Sequence, residues 1–348
     1  MKKGCAILLA MLLMALPLVA TGCSSGETVL NVYNWGEYID MSVLDQFTEE
    51  TGIKVKYSTF TSNEEMYAKV KSGGGNYDIL VPSDYMIERL IQNDLLAELN
   101  YDNIPNASLI MDQFKGMAFD PNDSYSVPYM WGTVGILYNT SLLPEGTVID
   151  SWDALWNPEY KNQILMYDSS RDSIMCSLSR LGYDINTRNP EEVEAAAQAL
   201  IEQKPLVLAY ALDDVQDKMI AGEAALALVY SGYVINAMAE NEDLAYCIPK
   251  EGSNIWLDSM VIPKSSKNKE AAEKFIDFMC RTDIAKKNVE YIGYSTPQQE
   301  TFDQLPEDMQ NNPVAYPDED SLARCEVFND LGDFNEVYDD AWIRIKAD

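Results

Sequence analysis

Aromatic rings stand beside acids and small polar groups in five short stretches: Tyr33-Asn34-Trp35-Gly36-Glu37-Tyr38, Pro82-Ser83-Asp84-Tyr85, Tyr167-Asp168-Ser169-Ser170-Arg171-Asp172, Ile255-Trp256-Leu257-Asp258-Ser259 and Gly293-Tyr294-Ser295-Thr296-Pro297. Ring faces cover hydrocarbon and attract cations, and carboxylates supply counter-charge. Any one of these rings alone reads as core packing. Interleaved in this way, they read together as the lining of a cleft. Other chemistry is harder to assemble. The chain has no histidine, which excludes His-based triads, His-ligated zinc and imidazole acid–base catalysis. No nucleophile-elbow pattern occurs. Cys176, Cys247, Cys280 and Cys325 show no CxxC spacing, and they read either as disulfide partners or as buried free thiols. Neither metal nor cofactor is expected.

The elements that must position these groups are legible from periodicity. Leu30 to Asn34 alternates like a strand, Val43, Leu44 and Phe47 recur at helical spacing up to Gly52, and Ile53 to Tyr57 alternates again, which predicts an opening βαβ unit. Ser62-Asn63-Glu64-Glu65 has capping-box spacing ahead of a helix ended by Gly73-Gly74-Gly75, and Asp78 to Pro82 reads as a buried strand. Asn189-Pro190-Glu191-Glu192 starts a helix to about Gln203, Leu206 to Ala209 follows as a strand, and Asp213 to Ala221 reads as a helix ended by Gly222. This alternation implies an α/β fold with largely parallel sheets, whose ligands gather beyond the carboxyl ends of the strands. Val127 to Tyr138 and Ile255 to Pro263 are apolar runs that read equally as core strands or as crossings between two lobes.

The chain is acidic, with a formal net charge of −31 over 348 residues. That charge argues against nucleic acid as a partner and favours cationic ligands modestly. Lys2 and Lys3 precede an apolar run from Ala6 to Ala20, too short for a membrane anchor, which reads as an export signal over residues 1–22. Its end, Ala20-Thr21-Gly22-Cys23, resembles the lipobox of bacterial lipoproteins. Lipidation at Cys23, with 23–26 as a tether, is therefore expected; a signal cut nearby would instead leave Cys23 as a spare thiol.

Residue by residue, the body of the chain resembles the spermidine/putrescine-binding proteins that deliver polyamines to bacterial ABC transporters. The likeness is carried by Tyr33-Asn34-Trp35 with Glu37-Tyr38, Glu64 to Lys69, Tyr77-Asp78 with Val81-Pro82-Ser83, Val127-Pro128-Tyr129 with Trp131-Gly132, Trp152 to Tyr160, Trp256 with Asp258-Ser259, and Ile292-Gly293-Tyr294 with Thr296-Pro297. It implies a two-lobed α/β periplasmic-binding-protein fold of type II that closes over its ligand. One lobe would comprise 27–135 and 258–301, the other 136–257 and 302–345. It also implies a monomer, exported and lipid-anchored on the outer face of the cytoplasmic membrane, that binds a polyamine without chemistry and hands it to permease subunits.

By the same resemblance Asp258 holds an inner amine and Asp172 an ammonium end. Trp35, Tyr38, Tyr85, Trp256 and Tyr294 cover the hydrocarbon, Ser83 adds a hydroxyl, and Tyr230 stacks where the family carries Trp. Ser169 replaces an acid, Leu212 a hydroxyl, Phe328 an amide and Gly36 a Thr. Asp168 is a reserve for the missing acid, and Asp213 either compensates beside Leu212 or, the preferred reading, is solvated surface. The alternatives are the same fold holding another organic cation, such as a guanidino compound or thiamine, a ferric binder built on clustered tyrosines, and a histidine-free exported enzyme.

Overall fold

The computed structural model describes residues 28–212 and 214–347. The export signal, Cys23, its tether and Asp213 lie outside the described residues. The opening unit forms as the alternation predicts. β1 (Val29–Trp35) pairs in parallel with β2 (Lys54–Phe60), and α1 (Met41–Thr51) crosses between them. α1 buries Val43, Leu44 and Phe47, starts on the Asp40 carboxylate, which accepts from the Ser42 N–H, and stops at Gly52, whose φ of 74° lies in the left-handed region. The Ser62 hydroxyl accepts from the Glu65 N–H to open α2 (Asn63–Lys71). The following strand, β3 (Ile79–Leu80), is shorter than the predicted run. Pro82 has no N–H to extend the ladder, and the Asp78 carboxylate takes the Asn31 N–H at 2.9 Å from the side. α3 (Asp84–Gln92) then leaves the end of β3.

β4 (Ser126–Asn139) leads into the second half, made of β5 (Ile164–Tyr167), α4 (Ser170–Arg180), α5 (Pro190–Gln203), β6 (Val207–Ala211), α6 (Val215–Ile220), β7 (Leu226–Tyr230), α7 (Ser231–Glu240) and β8 (Leu244–Cys247). β9 (Ser253–Val261) returns to the first half, where α8 (Lys269–Met279) packs Phe275 and Phe278 on Phe47 and α9 (Thr282–Ile292) follows. The short α10 (Gln299–Asp303), α11 (Glu307–Gln310), α12 (Glu319–Leu322) and β10 (Cys325–Glu326) precede the terminal α13 (Asn335–Ala347).

The strands run in the order β2-β1-β3-β9-β4-β7-β5-β6, with β8 also beside β4 and β10 beside β9. The expected parallel pairing holds on the flanks, where β1 pairs with β2 and β3 and β5 with β6 and β7. It fails in the middle, where β4 is antiparallel to β9, β7 and β8. The reason is topological: β4 carries the chain into the second half and β9 carries it back, so the two must run in opposite senses. β4 pairs with β9 from Ser126 to Thr133, then with β7 from Val134 to Tyr138. The two apolar runs are core strands at the middle of the strand order.

Candidate ligand-binding site

Four strands deliver their carboxyl ends to one place. β1 ends in Trp35, the turn after β3 carries Ser83 and Tyr85, β5 ends in Tyr167 ahead of Ser169 and Asp172, and β7 ends in Tyr230. β9 brings Trp256 and Asp258 past the same point, because Asp258 lies in register with Met130 and bridges to Ser83. Gly293 ends α9 with φ at 84°, a left-handed turn that releases Tyr294 toward the cluster.

Edge-to-face ring contacts join these residues into a chain. Tyr38 meets Tyr294 at 5.5 Å between centroids, Tyr294 meets Trp256 at 5.2 Å, Trp256 meets Tyr230 at 6.1 Å, and Tyr230 meets Tyr167 at 5.1 Å. A carboxylate stands at each end. The Tyr38 hydroxyl donates to Asp258 Oδ2 at 2.8 Å, while Asp258 Oδ1 is buried with no hydrogen-bond partner among the described residues. Burial raises the Asp258 carboxyl to about 6, and the Ser83 and Tyr38 hydroxyls pull it part of the way back. Asp172 sits in the first turn of α4, where its N–H donates to the Ser169 hydroxyl at 3.4 Å. Its Oδ1 is likewise buried and unpartnered, and burial raises its carboxyl against the opposing pull of the Ser169 and Tyr230 hydroxyls.

Trp35 is half-buried at the margin, 4.5 Å from the Phe60 ring, and its Nε1 has no hydrogen-bond partner among the described residues. The Tyr85 hydroxyl accepts from Asn63 Nδ2 at 3.1 Å and donates to Glu64 Oε1 at 3.0 Å, and Asn63 Nδ2 also donates to Ser83.

Asp168 is not brought into this cluster. Both its oxygens accept from Lys346 Nζ, at 2.6 and 2.7 Å, on the exposed side of α13. The reserve role expected for Asp168 requires its loop to shift off Lys346. Leu212 is half exposed and also stands apart. Ser169 serves as the cap of α4, and Phe328 packs against the Arg171 guanidinium at 4.4 Å.

Two residues that were not singled out belong to the cluster's frame. Asp84, between Ser83 and Tyr85, is 1% exposed; its carboxylate accepts from the Tyr85 N–H at 2.7 Å and the Leu257 N–H at 3.2 Å, tying α3 to β9. Burial, with Asp258 nearby, raises that carboxyl to about 8. Arg171 is buried among Phe328, Tyr338 and Tyr85. The signal for both was position alone, inside stretches already marked by their aromatics. All four cysteines of the described body are free thiols, and no described group of three acids or cysteines is placed to hold a metal.

Residues 42–316 match the profile of the bacterial extracellular solute-binding proteins. The chain belongs to that family. A Salmonella typhimurium relative, the spermidine/putrescine-binding periplasmic protein, is 39% identical over 348 residues, which is all of this chain and 99% of that one. Among solved structures, the spermidine/putrescine ABC transporter substrate-binding protein of Streptococcus pneumoniae superposes with a TM-score of 0.82 at 40% identity, over 92% of this chain and 99% of that one. A Treponema pallidum lipoprotein superposes at 0.83 with 27% identity, over 91% of this chain and 99% of that one. This solute-binding protein therefore has the two-lobed type II fold, and its family is an extracytoplasmic one.

Proposed function

We propose that this protein captures a linear polyamine, putrescine or spermidine, between its lobes and delivers it unchanged to an ABC permease. One observation carries the reading. Asp258 and Asp172 are only 6% and 4% exposed, each has a buried oxygen without a donor among the described residues, and the rings of Tyr38, Tyr294, Trp256 and Tyr230 run between them. Buried carboxylate oxygens call for charged donors. An ammonium group supplies three, and the methylenes between two ammoniums match the ring faces. At about 4 Å and an intermediate dielectric, each ion pair contributes on the order of 4 kcal/mol before desolvation. The relatives named for spermidine and putrescine support the same ligand class.

The lobes in this reading are 27–135 with 258–301 and 136–257 with 302–345, hinged at β4 and β9. The protein acts as a monomer, binds no nucleic acid and performs no reaction. Cys23 carries a lipid that holds it at the outer face of the cytoplasmic membrane, a reading supported by the lipoprotein among its structural relatives.

Calorimetric titration with putrescine, cadaverine, spermidine, spermine and agmatine tests the reading. One polyamine bound per chain and recovered unchanged is the expected result. A clear preference for agmatine would move the assignment to guanidino cations, and turnover of any substrate would overturn it.

A further inference from the structure

α3 carries more than the Tyr85 ring. One turn further along the same helix, Glu88 and Arg89 reach a segment far away in sequence, around Asp330. Arg89 donates to Asp330 Oδ1 through Nε at 2.9 Å and Nη2 at 2.6 Å. The Asp330 N–H in turn donates to Glu88 Oε2 at 2.8 Å. Both charges are largely withdrawn from solvent, with side-chain exposures of 16% for Arg89 and 3% for Asp330, so this pair is not of the weak, solvated kind.

The segment around Asp330 is anchored from the other half of the molecule. The Arg188 guanidinium donates to the Asp330 carbonyl at 2.9 Å, Asn186 takes the Asn329 N–H at 2.8 Å and gives its own amide to the Val327 carbonyl at 2.9 Å, and Arg171 donates to the Asn329 carbonyl at 3.3 Å. Within the same segment, Phe328 lies against Arg171, whose guanidinium also faces Tyr85 at 5.8 Å. One strap thus touches the ligand cluster through Phe328 and grips α3 through Asp330. Tyr85 and Arg89 are four residues apart and share a helix face.

From this arrangement we infer that Glu88, Arg89 and Asp330 form a latch between the lobes that sets how long the bound ligand is retained, without touching the ligand. The inference rests on the lobe assignment proposed above, which puts α3 and Asp330 on opposite sides of the cleft. A contact made only when the lobes are closed slows opening, so its loss appears in the dissociation rate and leaves association almost unchanged.

Stopped-flow binding of putrescine and spermidine to Arg89→Met, Asp330→Asn and the double variant, with melting temperature and small-angle scattering on each, tests the latch. Each single variant is expected to release ligand roughly ten- to a hundredfold faster, with association within about threefold of wild type and the double variant no worse than either single one. Without ligand, Arg89→Met should be more expanded than wild type and should compact less when ligand is added. Unchanged dissociation rates in a wild type that binds and compacts would overturn the latch and leave the function standing. A wild type that binds none of these amines would overturn the function instead, and the scattering comparison of Arg89→Met with wild type then decides the latch, identical profiles refuting it.

Discussion

Asp258 meets two opposed demands. A cation needs its carboxylate charged, whereas burial holds its carboxyl at about 6 instead of the usual 3.8. Between about 4 and 6 the folded protein without ligand holds the Asp258 proton more tightly than the unfolded chain does, so its stability falls as pH rises through that window. Binding runs the other way, and polyamine affinity should drop as pH falls below about 6, which titrations at stepped pH will show. Asp258→Asn keeps the shape and deletes the charge. It should weaken polyamine binding by about 2–4 kcal/mol while leaving the fold intact. Trp256→Phe keeps a ring and should lose only about 1 kcal/mol; a larger loss for Trp256→Phe in parallel calorimetry would mean that stacking outweighs charge. Ser169 lends its hydroxyl to the start of α4, and an Asp there can still cap. The buried Arg171 also makes that end of the cluster hostile to a third ammonium. Wild type should therefore bind putrescine at least as well as spermidine, with Ser169→Asp moving the preference toward spermidine in a competition titration. The candidate aromatics and Asp258 stand out in the sequence because ring and acid alternate locally. Nothing near Asp168 in sequence reveals that Lys346 folds back onto it.

The elements were legible wherever local chemistry ends them, as at Gly52, Ser62 and Asn189. What local patterns could not reveal is pairing. β4 reads as an apolar run whether it joins one sheet or bridges two, and its exchange of β9 for β7 at Thr133 and Val134 depends on partners about a hundred residues away. The same distance hides the function of two glycines. A Cβ on Gly132 would lie 2.5 Å from the Trp256 ring, and one on Gly232, in the first turn of α7, would overlap the ring of Tyr294. These positions are seats for the cleft aromatics. Gly232→Ala should unseat Tyr294 and weaken polyamine binding roughly tenfold or more, whereas adding Gly232→Ala to Tyr294→Ala should cost little beyond the Tyr294 change itself. Additive losses in the calorimeter would mean that Gly232 acts through α7 and not through the ring.

For the whole molecule, the net charge of −31 acts at longer range than any contact. Its field should speed the arrival of cations, so the association rate should fall as salt is raised while dissociation changes little. Export gives a second test: Cys23→Ser expressed in the native host should leave the membrane fraction, and a variant that stays fully membrane-bound would refute the anchor.

In the lobe assignment proposed above, β4 and β9 form the joint between the halves. β4 and β9 pair along it from Ser126 to Thr133 with one register shift between Pro128 and Met130, and the Ser253 hydroxyl donates to the Val134 carbonyl at 2.6 Å. A joint of this kind bends by twisting a paired ribbon, and none of its amides needs to be uncovered for the jaws to part. Deuterium uptake at Trp131 to Val134 should accordingly stay slow with and without polyamine. The Asp330 N–H, which the proposed latch holds on Glu88, should exchange quickly until ligand is added, so the molecule would record its own cycle as labelling at its clasp and silence at its pivot.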